Sequence, residues 1–433
     1  MKSLSQLLSR FCIPLIVVIS LFVNANLKWG EHERNTIVIS DGKGYYAYLP
    51  AIFIYHDLNM NFFDSIEKKY YDENTRYDYR SGANNKTIDK YFVGVALMQL
   101  PFFLAGHVVT FMSDEPVDGY SKWYVIFTSL GGLFWMAMGL IYLRKFLHQH
   151  GAKEGLSAFI LFILFFGTNL FYYTIVEPTM SHVYSFALVS MFLYFGKKWI
   201  TTGHANAAIG AAFLFGLIFL VRPVNALVGL WLIYEAGGFL QLFDRKKELF
   251  KAPAKVVLSL VLLILPFTLQ LLIWKIQTGS WIVNSYGYEG FHFFQPHMFD
   301  FLFSYKKGLF VYLPITFVAL LGLISLWKKD RKRALMAFAF FLVVFYVLSS
   351  WWMWYYGGSF GTRVIIEFLP ILAILLYFFL NSLSSMRGKI AGFALLVVLT
   401  VFCQFQTYQY RYYLIHWSDM TSEKYWDVFG KLP

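Results

Sequence analysis

The sequence predicts an all-α polytopic membrane protein of about eleven transmembrane helices, with further juxtamembrane helices on the extracytoplasmic side. Three observations carry this. Hydrophobic residues make up 58% of the chain, aromatics 21% and charged residues only 14%; a soluble chain of this length carries about twice that charge. Apolar runs near 11–27, 122–143, 156–175, 181–199, 205–221, 224–242, 255–275, 308–327, 333–350, 363–381 and 389–406 each approach the ~20 residues a spanning helix needs. The basic residues behind the net charge of +12 fall mostly in short clusters between those runs. That is a topology signal, not a phosphate-binding stripe for nucleic acid.

The first run could pass for a signal peptide, with Lys2 and Arg10 ahead of Phe11 to Val23. The many spans downstream favour a retained signal anchor. Cys12 and Cys403 both lie inside apolar runs, so no disulfide framework or cysteine metal site is available. Residues 1–433 read as one integral membrane domain, with no repeat, low-complexity tract or soluble domain.

Charge sets the topology. The run 92–112 is apolar enough to compete as a span, though Pro101 and His107 interrupt it. If it lies in the interface, the clusters at Arg144/Lys145/Lys153, Lys197/Lys198, Arg245/Lys246/Lys247/Lys251/Lys255, Lys328/Lys329/Arg331/Lys332/Arg333 and Arg387/Lys389 all share a side with Lys2 and Arg10. The positive-inside rule then gives an N-terminus inside and a C-terminus outside. The outside face collects the loop 28–121, Glu177 to His182, Arg222-Pro223, the loop 276–307 and Trp351 to Arg363. Within the first loop, short helices are expected near 44–60 and 92–112, too short or too interrupted to span and suited to the membrane surface.

Asp41 is the residue around which the site is predicted. It stands where the first span meets water, in Ile39-Ser40-Asp41-Gly42-Lys43-Gly44-Tyr45-Tyr46. Glycines on both sides of Lys43 let the backbone turn tightly and a ligand approach closely. Alone, Asp41 reads as the cap of an ordinary first loop, and it is the rest of the chain that turns the reading towards function. Glu177, beside Pro178 and a turn before His182, reads as a cap or as a functional carboxylate at the membrane boundary. Lys90, Arg222, Lys306 and Arg363 are cations on the side where the positive-inside rule disfavours them. Together they point to an anionic ligand, and the arginine fork suits a lipid phosphate. The cluster Trp351 to Tyr356 reads as an interfacial belt, and its rings also suit stacking on sugars. His292, His297 and Asp300 match no standard metal set. No P-loop, dinucleotide-binding glycine pattern, Gly-x-Ser-x-Gly elbow or His-Glu-x-x-His motif occurs.

In order, these features resemble the GT-C superfamily of membrane glycosyltransferases, which includes protein O-mannosyltransferases and the aminoarabinose transferases acting on lipid A. The likeness is best in the N-terminal half. An outside Asp41 leads into a Tyr-rich juxtamembrane helix; then come Lys90-Tyr91 with an interfacial helix, Glu177-Pro178, and a span closed by Arg222. Phe303 to Phe310 and Gly358 to Arg363 are similar to segments of bacterial sugar transferases of this type. The second acidic residue that many relatives place beside the first is absent, since Gly42 follows Asp41. The sequence therefore offers no clear ligand set for a divalent metal, and no cofactor is assigned.

The resemblance implies an inverting hexosyl or pentosyl transferase of the bacterial inner membrane. It would move a sugar from a polyprenyl-phosphate donor to a glycan, lipid or protein acceptor on the extracytoplasmic side. Asp41 would be general base and Lys90, Arg222, Arg363 and Lys306 the donor-phosphate ligands, with Glu177, His182, Tyr45, Tyr91 and Trp354 contacting substrate. Two other classes fit the same pattern: a transporter or flippase for lipid-linked saccharides, with charges at mid-bilayer, and a non-catalytic scaffold, with a closed outer face.

Overall fold

The computed structural model describes residues 4–250 and 252–432, without the side chains of 4–8 and 245–249. Lys2 and Lys251 of the basic clusters lie outside the described residues, as do the side chains of Arg245, Lys246 and Lys247. Among the described residues the protein is all-α apart from one hairpin, Arg80–Ala83 paired antiparallel with Lys86–Asp89. Seven helices among the described residues are long and apolar enough to cross a membrane. Six coincide with predicted runs, and the seventh is Gly94–Phe111.

The other runs are helical as well, but several are broken, each for a local reason. The run 156–175 splits into Glu154–Phe166 and Leu170–Ile175. A side chain at the intervening Gly167 would collide with Ile315 and Thr400, so the chain is pinched there against neighbouring helices. The run 224–242 becomes a 3-10 segment Pro223–Leu230, the helix Trp231–Ala236, and two glycines at positive φ before Phe239–Phe250. The run 308–327 divides into Leu309–Tyr312, Pro314–Leu320 and Gly322–Lys329; Pro314 has no N–H to continue the first piece.

Side-chain contacts fix the level of Gly94–Phe111. It packs on the first half of Lys122–Gln149, with Gly106 against Trp123 and Tyr124, Phe102 against Gly131, and Trp135 Nε1 donating to the Met98 carbonyl at 2.9 Å. The second half of that long helix pairs with Ser181–Thr202, through Gly139 on Phe186 and Gln149 on Tyr194. Gly132 meets Pro178, and Gly94 abuts Val221, the last residue of Ala205–Val221. Gly94–Phe111 therefore lies beside the part of Lys122–Gln149 that projects past the Glu177 loop and Arg222. Leu104, Val108, Phe111 and Met112 leave one face of it apolar and exposed.

The helix after Asp41 differs from expectation. It runs Asp41–Phe53, ends short of Met60, and is buried from Gly42 to Ala51, where a surface-lying amphipathic helix was expected. Tyr46 and Tyr48 point into protein, donating to the carbonyls of Gly119 (2.5 Å) and Tyr91 (2.7 Å). Lys43 is buried against Glu67 at 2.6 Å and caps the Tyr71 ring at 3.4 Å.

Candidate active site

Asp41 opens its helix without capping it. The N-cap position belongs to Ser40, held at φ 50°, and no side chain caps that end. The Asp41 carboxylate turns away from the backbone and accepts from Arg363 Nη2 at 2.7 Å, across 322 positions of sequence. The flanking glycines serve protein packing and not ligand approach. A Cβ on Gly42 would lie 2.1 Å from Thr179 Oγ1, and one on Gly44 would lie 2.3 Å from the Tyr91 ring. They let the Glu177–Met180 loop and the Tyr91 strand-end close onto this helix, which puts Glu177 and Tyr91 beside Asp41.

Arg363 is fixed from behind. The turn Gly357 to Arg363 is tied down by Asn169, which donates to the carbonyls of Phe360 and Thr362 at 3.2 and 3.3 Å, and by Tyr173, which accepts from the Phe360 N–H at 3.1 Å. Lys307, buried beneath it, donates to the Ser359 carbonyl, while its own carbonyl accepts from Thr362 Oγ1 at 2.5 Å. Burial pulls the Lys307 ammonium down to about 7, reinforced by the nearby Arg363 charge. Gly361, at φ 58°, makes the turn that brings Arg363 round to Asp41.

Asp41, Tyr91, Glu177 and Arg363 line a cavity of about 1130 Å³. Eight of the ten predicted site residues are on its wall: Asp41, Tyr45, Lys90, Tyr91, Glu177, His182, Arg222 and Arg363. Lys306 and Trp354 are not among its lining residues. Lys306 sits over the Tyr355 ring at 3.7 Å, and Trp354 stacks on His297.

Each of the three cations placed together is already paired. Arg363 holds Asp41, Lys90 Nζ is 3.2 Å from Glu289 Oε1, and Arg222 Nη1 is 3.1 Å from Glu367 Oε1. Glu367, fully buried behind the wall, also takes His182 Nδ1 at 3.0 Å. Burial alone would raise Asp41. The Arg363 guanidinium outweighs it, with hydrogen bonds from Tyr91 and Tyr77 and the Lys90 charge, and the carboxyl is held down at about 2. Glu177 goes the other way: burial raises it despite Arg363, a Tyr172 hydrogen bond of 2.9 Å and Lys28. Its Oε2 has no partner among the described residues, and neither have Glu367 Oε2 and Arg363 Nε.

Sequence reasoning missed Lys28, Glu289, Tyr286, Arg411 and Trp417, all on the wall. Lys28 ends the first span and Arg411 the last long helix, at the same end of the bundle as the cations that were noticed. The rule that flagged Lys90 and Arg363 would have flagged both. Among the described residues no three His, Cys, Asp or Glu side chains converge as metal ligands.

No protein-family model matches the chain, and no curated protein matches it in sequence. Among solved structures it is similar to the archaeal oligosaccharyltransferase AglB from Archaeoglobus fulgidus in complex with an inhibitory peptide and a dolichol-phosphate. The identity is 9% and the TM-score 0.48, over 97% of this chain and 58% of that one. It is also similar to the apo form of the Archaeoglobus fulgidus oligosaccharyltransferase, at 9% identity and TM-score 0.47, over 96% of this chain and 57% of that one. The chain thus spans less than two thirds of the length of these neighbours.

Proposed function

We propose that this chain is an inner-membrane glycosyltransferase of GT-C type that moves a sugar from a polyprenyl-phosphate donor to an acceptor on the extracytoplasmic side. The observation that carries this reading is the Asp41–Arg363 pair at 2.7 Å on the wall of a large cavity. A carboxylate for a proton and a guanidinium for a phosphate stand side by side, as displacement of a phosphate by a hydroxyl requires. The charges of the cavity wall gather at one end of the bundle, which supports transfer over transport, and an open cavity supports it over a scaffold.

In this reading the acceptor hydroxyl gives its proton to Asp41 as its oxygen bonds to the anomeric carbon. The bond from that carbon to the phosphate oxygen breaks, and the polyprenyl phosphate leaves with the electron pair. One displacement inverts the centre, and no protein nucleophile is needed. While paired to Arg363, Asp41 is ionised but weakly basic. Arg363 Nη2 holds Asp41, Nη1 faces only the Met180 sulfur at 3.8 Å, and Nε has no partner. A donor phosphate would take Nη1 and compete for Nη2, drawing the guanidinium off Asp41. The carboxylate becomes a stronger base when the leaving group is in place.

Asp41→Asn keeps shape and hydrogen bonding but takes no proton. With membranes and radiolabelled polyprenyl-phosphate sugar, at matched folded protein, transfer should fall ~10²–10⁴-fold. A near wild-type rate would refute the assignment of Asp41 as base.

A further inference from the structure

We propose that Lys28 and Arg411 form a second anion-binding subsite in the same cavity, for a phosphate or carboxylate that one of the two substrates carries. The inference deepens the transferase reading and rests on it for the identity of the ligand. Lys28 is the last residue of Leu4–Lys28 and Arg411 the last of Met386–Arg411, so the fold brings the ends of its first and last long helices to one wall. Both side chains line the cavity.

What sets them apart is pairing. Lys90, Arg222 and Arg363 each have a carboxylate within 3.2 Å. Neither Lys28 nor Arg411 forms an ion pair among the described residues. Lys28 is only 3% exposed. Its hydrogen bonds go to the Thr36 carbonyl at 3.1 Å and Thr36 Oγ1 at 2.6 Å, leaving a third donor. Glu177 and Glu33 act on Lys28 only at longer range, with no carboxylate in hydrogen-bond contact; a buried ammonium so placed is costly, and the neighbouring Arg411 charge adds to the cost. A bound anion relieves both. Tyr412, Tyr413 and Trp417 continue the wall next to Arg411, so an anion held here would sit with apolar and aromatic surface around the group that carries it.

Two sources share this chemistry. A diphosphate-linked donor would place one phosphate at Arg363 and the other here. A monophosphate donor would leave the subsite to an acidic group on the acceptor. The test uses full-length protein in nanodiscs of zwitterionic lipid, with binding of polyprenyl monophosphate, polyprenyl diphosphate and a soluble sugar phosphate each measured. Lys28→Met and Arg411→Gln should each weaken one of the last two probes about 10- to 100-fold, the value of one charge-assisted contact. Loss of diphosphate binding alone assigns the subsite to the donor; loss of sugar phosphate alone assigns it to the acceptor. Polyprenyl monophosphate should bind the variants as it binds wild type, which also reports that the Arg363 region is intact. Lys28→Arg, which keeps the charge, should restore binding. Wild-type affinity of both variants for all three probes overturns the proposal. Because the readout is binding, Asp41→Asn separates the two ideas. An active Asp41→Asn with weakened anion binding in the other variants would remove Asp41 as base and leave the subsite standing.

Discussion

Two buried charge clusters lie near opposite ends of the helix Ser181–Thr202, His182 in one and Lys197 in the other, roughly 22 Å apart along the axis. Around Lys197 every partner is met. Glu235 Oε2 takes Lys197 at 2.7 Å, and its Oε1 takes His150 Nε2 at 3.1 Å and Trp231 Nε1 at 2.8 Å. None of these residues lines the large cavity. Around His182 the carboxylates of Glu177 and Glu367 each keep an oxygen without a partner, Arg363 keeps a nitrogen, and the wall is open. Similar residue types thus make a closed structural tie in one place and part of a cavity wall in the other. The difference is unspent hydrogen-bonding capacity beside a cavity, whose wall carries Glu177, His182 and Arg363 but no member of the Lys197 cluster.

The largest effect tests whether the two ends face opposite sides of the membrane. A cysteine at exposed Ser113, just past Gly94–Phe111, should label fully with an impermeant thiol reagent added from outside intact cells. One at exposed Thr202 should label only after the membrane is opened. The native Cys12 and Cys403 are buried and give little background. Labelling of Ser113→Cys only after opening would place Gly94–Phe111 across the bilayer and undo the comparison.

Next is Glu235→Ala. It leaves the Lys197 ammonium and His150 without their carboxylate, and should destabilise the fold by about 3–5 kcal/mol. Thermal unfolding in detergent measures this, and transfer per folded molecule should be unchanged. A loss of specific activity at full stability would make the tie part of the site.

Arg363→Gln comes third, with an expected ~10²–10³-fold loss of transfer. It also shifts the pH dependence. In wild type the depressed Asp41 carboxyl contributes stability that is present above the ordinary carboxyl value and is lost as pH falls towards about 2. Without the guanidinium, the upward push of burial meets less opposition. The acid limb of the pH–rate profile should then move to higher pH. An unmoved limb would mean that Arg363 does not set the basicity of Asp41.

The smallest effect is at Glu177. Its value is raised, so its contribution to stability is fully present below the ordinary glutamate value and is lost as pH rises through the raised one. Glu177→Gln mimics the protonated form and should remove that dependence, with a stability change of about 1 kcal/mol or less at neutral pH. Unchanged pH dependence of unfolding in the variant would assign the titration to another group.

The cavity wall was readable where cations or carboxylates stand at the mouth of a span, because such residues are out of place by charge alone. Asp41, Lys90, Glu177, Arg222 and Arg363 were found that way. Lys306 has the same credentials but is taken up by the Tyr355 ring, and Trp354 by His297; local packing that hydropathy does not encode diverts both. Glu289 gave no signal, since a loop carboxylate looks alike whether or not it meets a cation.

By itself the sequence determined the helical class, the positions of the apolar runs and the loops that carry charge, because each follows from composition and short-range periodicity. Tertiary structure decided which runs break, as at Gly167 against Ile315 and Thr400. It turned the Asp41 helix into a buried element by closing Thr179 and Tyr91 onto Gly42 and Gly44. It also chose the ion pairs, matching Asp41 with Arg363 and Arg222 with Glu367 while leaving Lys28 and Arg411 without one among the described residues. The physical reason is range: a partner hundreds of residues away enters no local pattern, yet at about 3 Å in a low-dielectric wall it sets the charge state of the group it touches.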